Sequence, residues 1–253
     1  MTIDNTLSKR GPLMLTYDTA HVDKVRQAIS FIPNMERALF MAEKMRVDFV
    51  YNTAALEGNP YTYPEIKTLI EGITVGGHRI SDTEQVLNLN RALSHVIDLV
   101  KSGKFELNKE TACTIQGIVA NRESLTWGEF RDGQVFIGGT NYLPPRASDL
   151  DIIFEQGAKL LNTIDDPTFK AWLIFLWGSL NQFFYDGNKR TSRFLANATL
   201  MSAGLPPLMI LAKDQLKYNE VMTRFYDNQD ATEALEWLYS YYVERIAGFG
   251  FKA

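Results

Sequence analysis

The sequence is poor in the residues that build metal clusters and covalent cross-links. Cys113 is its single cysteine, and it has three histidines, His21, His78 and His95. A lone cysteine excludes a disulfide within the chain and fits a reducing compartment. The three histidines sit in ordinary contexts and give no basis for a histidine-rich metal centre. Positive charge is not in excess either: 26 Lys and Arg against 30 Asp and Glu give a net −4. No basic balance therefore points to nucleic acid. Long hydrophobic runs are missing as well. The uncharged stretch Ala171 to Tyr185, which contains WLIFLW, has 15 residues, short of the roughly 20 that span a bilayer. The opening residues, MTIDNTLSKRGPL, carry no apolar segment of the signal-peptide kind. The expectation is a cytoplasmic protein with neither membrane nor nucleic acid as a partner.

What is present is ordinary for a globular chain: 45% hydrophobic, 22% charged and 12% aromatic residues over 253 positions. That is enough to bury a sizeable core. Helical periodicity dominates, and the fold class expected is all-α. Over 34–57, Leu39, Ala42, Met45, Phe49, Thr53 and Leu56 recur at spacings of three or four as one apolar stripe. Gly58-Asn59-Pro60 then gives a stop signal. Further helices are predicted at about 63–72, 83–101, 107–119, 148–163, 167–182, 189–203, 213–226 and 230–246. Asp82, Ser148, Asp166 before Pro167, and Asp230 with Glu233 three residues on supply starts. The 167–182 helix is apolar nearly all round through WLIFLW, which predicts the centre of a bundle. One segment departs from this pattern. Val135–Ile137 and Thr140–Tyr142 flank Gly138-Gly139, a two-residue turn signal, and predict a short β-hairpin ended by Pro144-Pro145. With no repeat and no linker, residues 34–253 read as one domain, preceded by an N-terminal arm at 1–33.

The stretch QFFYDGNKRTSR, Gln182 to Arg193, poses an electrostatic problem. A turn at Asp186-Gly187-Asn188 leads into a helix carrying Lys189, Arg190 and Arg193 in its first two turns. Cations there oppose the positive end of the helix dipole, at about 0.3–1 kcal/mol each when exposed. A negative partner would resolve this. The unpaired N–H groups of a helix start, approached over a glycine turn, suit a phosphate. Arg190 and Arg193 add a cationic clamp suited to a di- or triphosphate. Asp186 is placed to hold a Mg²⁺ bridging the same phosphates. The plainer reading is a polar turn followed by solvated surface arginines.

The stretch resembles the signature of the Fic family, H-x-F-x-[D/E]-G-N-[G/K]-R-x-x-R, which Phe184, Asp186, Gly187, Asn188, Lys189, Arg190 and Arg193 fit. The resemblance covers roughly residues 35–205. It implies a Fic-like helical bundle with a small β-hairpin flap and a core at about 107–205. Fic enzymes transfer AMP from ATP to a hydroxyl side chain of a target protein and release pyrophosphate. By that resemblance Asp186 would hold Mg²⁺ and the Gly187–Arg190 backbone would form the anion cradle. Arg190 would contact the phosphates, Arg193 the γ-phosphate, and Phe184 would anchor the loop. Gln182 stands where the family has its general-base histidine. A glutamine amide has no usable basicity near pH 7, and general base catalysis contributes about 10²–10⁴-fold, so AMP transfer is expected to be weak or lost. Phe183 is bulkier than the proline often found at its position. Lys189 occurs in the family's Doc branch, which transfers phosphate; it either shifts how the phosphates dock or is a solvated side chain.

A built-in anion is available. Glu57 ends a helix, where the dipole disfavours its charge, and Thr53 lies four residues earlier on the same face. The segment resembles the family's inhibitory motif, [S/T]-x-x-x-E-[G/N], whose glutamate pairs with the second signature arginine. The resemblance thus makes 34–57 an inhibitory helix and predicts that Glu57 meets Arg193; the alternative is an ordinary helix end with Glu57 solvated. It also makes Val135, Phe136, Ile137, Gly138, Gly139 and Thr140 a flap that aligns a target segment as an added strand. Arg131 is left unassigned between surface charge and loop anchor. EQVLNLNRAL (84–93) looks like the family, but its apolar positions read as core. Met35, Met41 and Met45 read as core filling. The aromatic tail EWLYSYYVERIAGFGF reads as a packed terminal helix, with a partner or homo-oligomer surface as the alternative. No winged-helix pattern follows residue 205, so DNA binding is not expected. The leading reading is an ATP-binding protein of the adenylyltransferase type held back by Glu57. Its rivals are a non-catalytic nucleotide-binding module and a Doc-like phosphotransferase.

Overall fold

The uncharged run becomes the axis of the molecule. In this computed structural model, which describes residues 12–251, Pro167–Asn181 forms a helix with nearly every side chain buried, including Trp172, Phe175 and Trp177. Burying each large side chain contributes about 1.5–3 kcal/mol relative to leaving it in water. The helix starts where the sequence predicts: Asp166 accepts from the N–H groups of Thr168 (2.9 Å) and Phe169 (3.0 Å), ahead of Pro167. A tight loop then returns the chain along its neighbour, Asn188–Ser202, and the two helices form the most extensive helix contact. Gly178 makes that contact close, since a Cβ there would lie 2.2 Å from Ser192 Oγ.

In chain order the described helices are α1 (Thr19–Gln27), α2 (Met35–Lys44), α3 (Arg46–Leu56), α4 (Tyr63–Ile70), α5 (Ile80–Lys101), α6 (Lys109–Val119), α7 (Leu150–Asn162), α8 (Pro167–Asn181), α9 (Asn188–Ser202), α10 (Gln215–Asn228) and α11 (Thr232–Ile246). Helix α5 packs on α3, α6 and α9; α7 lies on α8; α1 packs on α11, which also contacts α10. The fold is all-α. Among the described residues the only β pairing is an isolated bridge between Thr16 and Asp230.

Two expectations need correction. The single helix predicted over 34–57 is broken at Met45, which has φ −97° and ψ 18°. The ladder resumes at once, with Phe49 N–H donating to Met45 O (2.8 Å), so this is a one-residue kink. Just past it, Arg46 anchors the start of α3 on α5, donating to Asn90 Oδ1 (3.0 Å) and Ser94 Oγ (2.7 Å). The hairpin predicted over Val135–Tyr142 has its turn at Gly138-Gly139 but no ladder between its arms. A lone two-stranded hairpin is marginal in water, and here side chains rather than a ladder hold the segment. Thr140 Oγ1 donates to Asp227 on α10, and Gln134 Nε2 donates to Pro144 O (3.1 Å). Pro144 and Pro145 have no N–H to pair.

Candidate functional site

The loop between α8 and α9 is shaped by two residues in the left-handed region. Gln182 caps α8 at φ +48°, and Gly187 precedes α9 at φ +76°. Gly187 cannot readily be replaced, because a Cβ would also press within 3.1 Å of Ala120. Asn188 closes the loop: its Oδ1 accepts from Phe184 N–H (2.9 Å), and its Nδ2 donates to Phe184 O (2.7 Å). Phe184 is buried against Phe130, and Phe183 packs among Phe130, Phe154 and Trp177. From α6, the buried Gln116 donates to Asp186 O (3.1 Å). The first residues of α9 consequently line a cleft of about 280 Å³. Glu57, Phe136, Ile137, Gly138, Gln182, Tyr185, Asp186, Gly187, Asn188, Lys189, Arg190 and Tyr226 line it.

Helix α3 delivers Glu57 to this cleft. Gly58, at φ +80°, ends the helix in a Schellman motif: Gly58 N–H donates to Ala55 O (3.0 Å) and Asn59 N–H to Ala54 O (3.1 Å). From α10, Gln215 Nε2 holds Leu56 O (3.1 Å). Glu57 sits at the negative helix end, with Oε1 3.9 Å from Arg193 Nη2 and Oε2 4.0 Å from Lys189 Nζ. Both are ion pairs too long for hydrogen bonds. Arg193 is 2% exposed, its guanidinium lies near the Tyr218 and Phe175 rings, and none of its guanidinium nitrogens has a hydrogen-bond partner. Thr53 is buried one turn before Glu57.

A model of the Fic/DOC family matches residues 106–200, which include the loop, the cleft's Arg190 and the buried Arg193. Protein adenylyltransferase Fic of Aedes aegypti is 29% identical over 208 residues, covering 79% of this chain and 41% of that protein. Fic-1 of C. elegans shares the fold at a TM-score of 0.70 and 21% identity, over 90% of this chain and 70% of that one. A Fic domain containing signalling protein from Bacteroides thetaiotaomicron does so at a TM-score of 0.69 and 19% identity, over 89% of this chain and 91% of that one. Residues 106–200 of the chain carry a Fic/DOC family domain. The chain spans 41% of the length of the first curated relatives it matches.

Within this Fic fold, the Gln182 side chain is already committed to structure. Gln182 Nε2 donates to Ser179 O (2.7 Å), and its Oε1 accepts from Asn188 Nδ2 (3.0 Å). Arg131, which the sequence left unassigned, is 2% exposed and is a loop anchor. It donates to Gln182 O (2.6 Å), Gly133 O (2.7 Å) and Pro145 O (2.6 Å), tying the base of the flap to the end of α8. Arg190 is also buried, with Nη1 donating to Glu123 Oε2 (2.7 Å) and Nη2 3.5 Å from Asp186 Oδ1. Burial pulls its pKa down, but the carboxylates of Glu57, Glu123 and Asp186 outweigh this and leave it raised. Sequence reasoning missed Glu123, Gln116 and Tyr226. A signal existed for Gln116, a polar residue among the buried Ala112, Ile115 and Val119 of α6.

Asp186 is 59% exposed at the mouth of the cleft. No cluster of three or more His, Cys, Asp or Glu able to hold a metal occurs among the described residues. A single exposed carboxylate beside the start of α9 fits Mg²⁺, which is commonly held by one or two carboxylates plus substrate phosphates. Burial pushes the Cys113 thiol up to about 11, which leaves it a poor nucleophile at neutral pH. No described helix is long and apolar enough to cross a membrane.

Proposed function

We propose that the chain binds ATP with Mg²⁺ at the α9 cleft, is of the AMP-transferring type, and is held in a closed form by Glu57. The observation that carries this reading is Arg193: a guanidinium 2% exposed with no hydrogen bond and its nearest carboxylate 3.9 Å away. Burying a cation so poorly paired is costly, and a phosphate oxygen in better geometry would complete it. The similarity to proteins named Protein adenylyltransferase Fic supports the same reading.

The backbone N–H groups at the start of α9, with Arg190 and Arg193, would bind the phosphates, and Asp186 would hold Mg²⁺. When bound, the ion neutralises phosphate charge and fixes phosphate orientation. In AMP transfer the target's Ser, Thr or Tyr hydroxyl oxygen bonds to the α-phosphorus. The bond to the β-phosphate oxygen breaks, pyrophosphate leaves, and the hydroxyl proton needs an acceptor. Gln182 offers none: it is an amide, and both ends of it are engaged. The flap arms at 135–137 and 140–142 form no ladder with each other. Gln134 Nε2 donates to Val135 O and Thr140 Oγ1 accepts from Tyr142 N–H, and the backbone groups between them have no backbone partner, which is what an added target strand requires.

The clamped Gln182 favours a second reading, a module that binds nucleotide without turnover. Incubation with ATP labelled at the α- or γ-phosphate, plus Mg²⁺, separates the readings. The proteins compared are wild type, Glu57→Gly, and Glu57→Gly with Gln182→His. The expected result is α-label on protein only in the histidine-restored variant, with ATP binding already present in Glu57→Gly. Label in Glu57→Gly alone would refute the lost-base reading, and γ-label on protein would show phosphate transfer. No ATP binding by any variant would sink the proposal.

A further inference from the structure

Glu123 lies on the turn after α6, outside the loop signature, and does not line the cleft. Its carboxylate is 11% exposed yet gathers three donors: Arg190 Nη1 at 2.7 Å, Gln85 Nε2 at 2.9 Å and Asn88 Nδ2 at 3.4 Å. The two amides stand three residues apart on α5, hence on one face. Each is fixed in turn. Gln85 Oε1 accepts from Asn59 Nδ2 (3.0 Å), and Asn88 Nδ2 also donates to Asn121 O (2.9 Å). Asn88 Oδ1 accepts from Arg91 Nη2 (2.9 Å). Four side chains from α5 and the α3 end, with one backbone carbonyl of the α6 turn, are thus spent on aiming one carboxylate at one guanidinium.

We propose that Glu123 is a positioning residue for Arg190. It grips Nη1 from the side away from the ligand and leaves Nη2 beside Asp186, where a phosphate oxygen would be received. The inference rests on the nucleotide reading of the cleft. A free arginine loses much rotamer freedom on binding; one already held by a charge-assisted hydrogen bond loses little, which favours affinity. The effect is confined to phosphate recognition, because Glu123 touches Arg190 and nothing else that lines the cleft. The relay reaches Asn59, two residues beyond Glu57, so Arg190 and the Glu57 turn share one hydrogen-bonded frame.

The test is calorimetric titration with ATP plus Mg²⁺, and separately with adenosine, in a Glu57→Gly background carrying Glu123, Glu123→Ala or Glu123→Gln. Glu123→Ala is expected to weaken ATP binding about thirtyfold, and Glu123→Gln, which keeps an acceptor for Nη1, about threefold. Adenosine affinity is expected to hold within about twofold in both. ATP affinity unchanged in Glu123→Ala overturns the proposal, as does an equal loss of ATP and adenosine, the sign of a merely structural role. If Glu123→Ala fails to fold, Glu123→Gln decides, and identical ATP affinity there overturns the proposal. A Glu57→Gly parent that binds no ATP overturns the nucleotide reading beneath it, an outcome distinct from either.

Discussion

At the scale of single residues, the site is a set of charges placed where their own helices disfavour them. Glu57 lies at the negative end of α3, and Lys189 and Arg193 in the first two turns of α9; their meeting offsets both penalties. The balance is incomplete, because Glu57 Oε1 and the Arg193 guanidinium nitrogens lack hydrogen bonds. Replacing a poorly paired buried ion pair by neutral groups is often neutral or stabilising, by about 1–4 kcal/mol. Glu57→Gln with Arg193→Met is therefore expected to melt at or above the wild-type temperature while losing ATP binding. Differential scanning fluorimetry with calorimetric titration checks this. A melting temperature several degrees lower would mean that the pair is structural. Residue identity alone revealed the misplaced charges, since the dipole rule needs only position along a helix. It could not show that Lys189 shares Glu57 with Arg193, or that Gln182 is clamped at both ends.

At the scale of elements, caps and turns largely follow from local chemistry. Asp166, Pro167, Gly58 and Gly187 act within a turn or two of where they stand, and the elements begin and end beside them. Helix α4 offers a quantitative case. Glu65 accepts from Thr62 N–H (2.8 Å) and Thr62 Oγ1 (2.7 Å) and lies 3.1 Å from His78 Nε2. These contacts, the backbone N–H foremost, hold its carboxyl down at about 2 against an ordinary 4.5. A depressed pKa gives stability that is present above the unfolded value and lost as pH falls toward the folded one. The melting-temperature gap between wild type and Glu65→Gln should thus be full at pH above about 5 and narrow steadily as pH falls to about 3. A gap independent of pH would show that the carboxylate charge is not the stabilising feature. The flap is where local reading failed: alternation and a Gly-Gly turn call for strands, but strands need partners, and the arms are held by side chains to α10 and to the Pro144 carbonyl.

At the scale of the whole molecule, the α8–α9 crossing sets the loop. Gly178 faces Ser192, whose Oγ donates to Asn188 O (2.7 Å), the first residue of α9. Gly178→Ala would force the helices apart, at about 1–3 kcal/mol, or roughly 2–10 °C in melting temperature for a chain of this size. Adding Ser192→Gly is expected to recover part of that loss. If the single variant melts like wild type, the crossing has more slack than these distances allow.

The sequence by itself determined most of the helices beyond residue 34, the glycine turn before α9, the helix stop after Glu57 and the glutamine at position 182. Each depends on periodicity, φ preference or side-chain chemistry acting within a few residues. Tertiary structure alone decided which charges meet. Glu123 and Arg190 are 67 positions apart, and their bond exists because α5, α6 and α9 pack together. Packing likewise buried Arg131 as an anchor of the 133–145 segment and left the arms at 135–137 and 140–142 without a ladder between them, since both outcomes turn on distances between elements that share no local signal.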